Sequence, residues 1–226
     1  MHKFNALTRF TGTFATGVIM ALSPAAYAED ATKHSTEKTA PAASATVDML
    51  EFQPGDHILG NKDAAVRIIE YASLTCPHCR AYHMETFPLI KEHYIDTGKV
   101  AFVYRHFPFN PPALHGAALA ECAGDEQFFK YINVLMKTQD KWAFSSDYMD
   151  SLRNIAAVGG MSSEAFDACM DDTAKQDAIA QDMAVSAKQL TINSTPTTFV
   201  NGEKFNGFQE FETLKQYIDP LLNNAK

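Results

Sequence analysis

The hydrophobic pattern falls into three regimes, each with its own spacing. "AAVRIIEYAS" (64–73) is a β-branched apolar run of strand length, ending just before Cys76-Pro77. Proline is favoured at the first helical position, so strand, turn and helix follow in order. The helix is predicted to run to about Asp96 and to stop near Gly98. "KVAFVYRHF" (99–107) reads as a second strand, which makes the unit a right-handed parallel crossover. From 112 to 190 the apolar positions repeat at helical spacing: Leu114, Ala118 and Cys122 share one face, and Phe128, Ile132, Leu135 and Met136 another. The strand pattern returns only in "TTFVNGEKFNGF" (197–208), where Asn201-Gly202 signals a two-residue hairpin turn. A last helix is predicted from Glu210 to about Leu222. The fold class is α/β, with a first part at 47–111, a helical insert at 112–190 and a second part at 191–226.

The N-terminal pattern is of another kind. Lys3 and Arg9 precede a short, mostly apolar stretch from Phe10 to Leu22, followed by Pro24 and the small-residue triplet Ala26-Tyr27-Ala28. This order reads as a secretory signal peptide over 1–28, cleaved after Ala28, and implies a periplasmic or otherwise exported location. Thr11, Gly12, Thr13, Thr16 and Gly17 interrupt the run, which is short for a membrane span. Residues 29–46 have almost no large apolar side chain and read as a flexible leader. About 180 residues remain, enough for one sizeable core. With Lys3 and Arg9 removed, the formal net charge of -8 becomes -10, which excludes nucleic acid as a natural partner.

Four cysteines change the picture. An exported chain lives in an oxidising compartment, where a lone C-x-x-C is more naturally a dithiol than a metal knuckle. In "SLTCPHCRAYH" (73–83), Cys76 sits where a helix begins, exposed to unpaired backbone N-H groups and the positive end of the helix dipole. Both favour thiolate. Cys79 lies one turn on, so the two sulfurs can close a small ring, and a protonated His78 would add to the stabilisation of the Cys76 thiolate. Cys76, Cys79 and His83 have zinc-like spacing, but a structural site needs four ligands and no second C-x-x-C follows; no metal is expected. A purely structural Cys76-Cys79 bridge is disfavoured because so short a loop constrains the unfolded chain little.

The strand leading into C-P-H-C, the helical insert and the late "STPTTFVNG" resemble the DsbA-like group of thioredoxin-fold disulfide oxidoreductases, over residues 49–224. "YRHFP" (104–108) and "AALAECAG" (117–124) resemble members with a second cysteine pair. The resemblance implies that Cys76 is the attacking and departing sulfur and that Cys79 is the less exposed resolving thiol, with Pro77 and His78 counted in the catalytic site between them. It further implies a cis Pro196 lying against the cysteines, Thr195 offering backbone groups to an extended substrate, and Glu70 as a buried acid behind Cys79. No cofactor is implied. The partners would be reduced or unfolded exported proteins and a DsbB-type membrane reoxidase, with the chain a monomer. Isomerases or reductases of the DsbC, DsbG and ScsC type are the alternative within the same chemistry, and Thr195 is shared with them. A redox-silent periplasmic peptide- or copper-binding protein is the alternative outside it.

Glu70 also stands out without the family. It shares a strand face with Val66, Ile68 and Ala72, so an acid falls in apolar core, where burial disfavours its charged form and suits it to exchange a proton with Cys79. His83, His106 and His115 have no partner pattern in the sequence and are read as surface or internally satisfied residues. The even cysteine count and the apolar faces holding Cys122 (with Leu114 and Ala118) and Cys169 (with Phe166) predict a structural bridge within the insert.

Overall fold

Five strands form one mixed sheet in the order β1-β3-β2-β4-β5. They are β1 (Ile58–Gly60), β2 (Val66–Ala72), β3 (Val100–His106), β4 (Thr197–Val200) and β5 (Glu203–Asn206). The computed structural model describes residues 49–224; the expected signal peptide and leader lie outside the described residues. Central β2 pairs parallel with β3 and antiparallel with β4. Val66, Ile68 and Ala72 enter one apolar cluster and Ile69 and Tyr71 another. Burial on both faces is why β2 reads as a continuous apolar run rather than as an alternation.

β1 has no counterpart in the sequence reading. It is three residues long and pairs antiparallel with β3, with Gly60 opposite Ala101. Gly60 has φ +96°, and a Cβ there would lie 2.6 Å from the Val100 carbonyl oxygen, so only glycine lets this edge close.

The crossover from β2 to β3 is one helical run, α1, made of Pro77–Ala81, a π turn Tyr82–Thr86, Phe87–Ile90 and a second π turn Lys91–Ile95. The helix predicted to about Asp96 is thus present but irregular, and Pro88 supplies the reason. Proline has no N-H and its ring clashes with the carbonyl four residues back; in the preceding wide turn the Phe87 N-H reaches Tyr82 O instead. Within that turn the consecutive Tyr82 and His83 are both buried. Gly98, at φ +72°, ends the run.

Six helices lie between β3 and β4: α2 (Pro111–Cys122), α3 (Asp125–Lys137), α4 (Gln139–Trp142), α5 (Tyr148–Val158), α6 (Ser163–Asp171) and α7 (Thr173–Gln189). Asn110, Ser162 and Asp172 cap α2, α6 and α7 by accepting from Ala113, Ala165 and Lys175 N-H. Leu119, Phe128, Ile132, Trp142 and Phe166 pack into the same cluster as the β2 face. The β4-β5 turn has positive φ at both Asn201 and Gly202, as a two-residue hairpin requires. α8 (Phe211–Asn224) closes the described chain, burying Leu214 and Ile218.

Candidate active site

The site forms where β2 leaves the sheet. Ser73 O accepts from the Cys76 N-H at 3.1 Å, turning the chain, and Cys76 stays extended (φ -84°, ψ 120°) as the residue before the helix, with Pro77 in its first turn. Buried Gln139 fixes this turn from α4: its Nε2 donates to Leu74 O at 2.8 Å and to Cys76 O at 3.0 Å. Asn110 Nδ2 donates to Thr75 Oγ1 at 3.0 Å, tying the start of α2 to the same loop. Thr195-Pro196 is a cis peptide, and the Thr195 carbonyl oxygen lies 3.3 Å from Cys76 Sγ.

Both thiols are free; Cys76 is 6% exposed and Cys79 0%. Their acidities diverge. The Cys79 thiol donates to the Cys76 sulfur, and this hydrogen bond, opposed by burial and helped by the Thr195 side chain and the Cys79 and His78 backbone N-H groups, brings Cys76 down to about 5. The Thr195 carbonyl can only accept, so it favours the thiol; the net lowering comes from the donors. Burial pushes Cys79 well above the ordinary thiol range, and the Cys76 sulfur and the Glu70 carboxylate push it further. His78 is exposed, and its backbone N-H is among the groups that lower Cys76.

Glu70 is fully buried, opposite Tyr104 on β3 and Thr198 on β4. Its Oε2 is hydrogen-bonded to His83 Nε2 at 3.0 Å. His83, read from the sequence as having no partner pattern, is therefore the partner of the buried acid. The two are thirteen residues apart on different elements, so no local spacing could have paired them. His106 Nε2 lies 3.2 Å from Glu121 Oε1, and His115 Nδ1 lies 2.9 Å from the Tyr148 hydroxyl. Gln139 carries no sequence signal, since it stands in the polar stretch Lys137-Thr138-Gln139-Asp140-Lys141. Cys122 and Cys169 are joined in a disulfide between α2 and α6, with Cα atoms 6.1 Å apart. Among the described residues no group of three or more His, Cys, Asp or Glu is arranged to hold a metal ion, and no helix is long and apolar enough to cross a membrane.

The fold is shared with known proteins. A family profile described as thioredoxin matches residues 53–220. A chain of Rickettsia typhi named as a candidate protein-disulfide oxidoreductase is 34% identical over 192 residues, covering 84% of this chain and 70% of that one. The crystal structure of α-DsbA1 from Wolbachia pipientis is similar at TM-score 0.75 and 34% identity, covering 80% of this chain and 97% of that one. A protein-disulfide isomerase structure from Novosphingobium aromaticivorans matches at TM-score 0.66 and 26% identity, covering 76% of this chain and all of that one (100%). The chain belongs to the thioredoxin family, as a protein-disulfide oxidoreductase of its DsbA-like group.

Proposed function

We propose that the chain is an oxidase that donates a Cys76-Cys79 disulfide to exported proteins. A substrate thiolate attacks Cys76 Sγ, the Cys76-Cys79 bond breaks, and Cys79 leaves as thiolate. A second substrate thiolate then attacks the substrate sulfur of the mixed disulfide, and Cys76 departs. The substrate gains a disulfide and the protein is left as the dithiol. The observation that carries this direction is the Cys76 thiol lowered to about 5 beside a resolving thiol held high. A stabilised Cys76 thiolate makes the reduced protein the favoured product, hence the disulfide a good oxidant. Thr195 and the cis Pro196 would hold an extended substrate against Cys76. Glu70 would exchange the proton of Cys79, and a protonated His78 would add to the thiolate's stability. Residues 1–28 would export the chain to the periplasm, where a DsbB-type membrane partner reoxidises a monomer.

Attack and resolution are separable. Cys76→Ser is expected to abolish exchange with a reduced peptide, whereas Cys79→Ser, offered a substrate disulfide, should accumulate a mixed disulfide at Cys76 detectable by mass. Full turnover by Cys76→Ser would sink the assignment. The isomerase match and Thr195 favour a second reading, rearrangement of wrong disulfides. Light scattering that finds a stable oligomer, together with recovery of a scrambled substrate faster than oxidation of a reduced one, would decide for it.

A further inference from the structure

Cys79 presents the exchange reaction with a proton problem. Each time it leaves the disulfide it is a thiolate, and each time it attacks it must shed a proton, yet it is fully buried. Glu70, whose charge Cys79 feels, is equally sealed, so it can act repeatedly only if its own proton is renewed. Resting on the exchange chemistry proposed above, we infer that His83 renews it: a positioning residue that passes protons between Glu70 and solvent through a cleft beside β1, away from the substrate face.

The geometry supports each link. His83 Nε2 is 3.0 Å from Glu70 Oε2, while Glu70 Oε1 has no hydrogen-bond partner in the protein and is left to serve the cysteine side. Of Cys79, Glu70 and His83, only His83 lines a cleft of about 660 Å³, walled by Ile58, Leu59, Phe87 and Phe129. Cys76, His78, Thr195 and Pro196 do not line it, so a docked substrate would leave it open. The π turn before Pro88 is what carries His83 here from the helix that also bears the cysteines.

The groups facing the pair leave His83 as the exchanger. Tyr82 from α1 and Tyr104 from β3 face Glu70, but burial holds both phenols well above their ordinary range, so they stay protonated. Thr198 from β4 does not titrate. Tyr104 and Phe87 pack on the His83 ring at 5.7 and 4.9 Å. Asp56, His57, Lys91, Asp125, Glu126 and Lys130 line the cleft, where they bias its potential. In the donating direction the Cys79 thiolate takes the proton of the Glu70 carboxyl, Glu70 takes one from the His83 imidazolium, and neutral His83 is reprotonated from the cleft. No electrons move in these steps, and reoxidation runs them backwards.

The test uses oxidised full-length protein mixed rapidly with dithiothreitol, the freed Cys79 being counted by acid quench and alkylation across a range of pH. His83→Gln keeps a hydrogen-bonding side chain beside Glu70 but cannot carry a proton. It should slow the release of Cys79 by about tenfold, less than the hundredfold common for a group in direct contact with the reacting atom. It should also remove a limb from the pH profile while the Cys76 absorbance titration stays in place. In His83→Ala, imidazole added to the solution should enter through the cleft and restore the rate, which a merely structural role would not allow. A His83→Gln protein with wild-type rate and profile would overturn the relay, as would a slowed His83→Ala that imidazole does not restore. Failure of the underlying reading would show instead in the wild type, as absent exchange or an ordinary Cys76 titration.

Discussion

Cys76 and Cys79 are one helical turn apart and both nearly buried, yet their thiols are driven in opposite directions because each is the other's main partner. The Cys79 S-H stabilises the Cys76 thiolate, and that thiolate makes ionising Cys79 still harder. Absorbance of the reduced protein near 240 nm should therefore show one thiolate, with a midpoint at about 5, and no second one below pH 9. Thr195→Val removes a side-chain donor while keeping the carbonyl, so the midpoint should move up; an unmoved midpoint would leave the lowering to the Cys79 thiol and the helix N-H groups alone. His78→Ser keeps the backbone N-H and so isolates the imidazole. In a glutathione equilibrium it should make the protein a weaker oxidant, and an unchanged potential would confine His78 to its backbone. Cys76, Cys79 and Glu70 were legible in the sequence because a helix start and a strand face are local patterns. His83 was not, because only the folded chain sets it against Glu70.

At the scale of elements, α4 governs the active-site turn although it has only four residues. Its Gln139 serves two buried carbonyls, and its Trp142 packs where Gly116 of α2 has no side chain. A Cβ at Gly116 would lie 3.1 Å from the Trp142 ring and 3.2 Å from Leu74. Gln139→Leu strands the Leu74 and Cys76 carbonyls without their donor and should cost about 1 to 3 kcal/mol in urea unfolding. Gly116→Val, which overpacks Trp142 against the same turn, should cost a similar amount. If either variant were neutral, α4 would not be what fixes the turn. The α2-α6 disulfide acts on a longer loop: with its ends 47 positions apart in sequence, the chain-entropy model gives about 4 kcal/mol. Replacing Cys122 and Cys169 by alanine should lower the melting temperature by about 10 °C and leave the Cys76 midpoint in place, since neither cysteine is among the groups that set it. Apolar periodicity exposed the long helices and central strands, whereas β1 escaped it: three residues at a sheet edge, shaped by one glycine, carry no period.

For the whole molecule, the acidity of one sulfur becomes a difference in global stability between redox states. In the reduced protein Cys76 falls from its ordinary 9.0 to about 5 on folding, so its contribution is complete above pH 9 and is lost as pH falls through 5. Between those limits the reduced form should gain about 1.4 kcal/mol per pH unit, or roughly 3 kcal/mol by pH 7. The oxidised form has no thiolate, but its bond closes a four-residue loop worth about 2 kcal/mol. Titrating groups that do not touch the dithiol are common to both states and cancel: Glu121, which burial would raise but which hydrogen bonds from His106 and His57 hold at about 2, is one, and His57 is another. The thiolate therefore outweighs the loop at pH 7 and loses to it near pH 5. Above pH 9 the order is eroded again, because unfolding lets the buried Cys79 ionise. Melting the two redox forms side by side should show the reduced protein as the more stable at pH 7 to 8. The gap should narrow by about 3 °C per unit on acidification and invert between about pH 5 and 7. An oxidised form that melts higher at every pH would mean that the Cys76 thiolate is not stabilised by folding, and the case for an oxidase would fall with it.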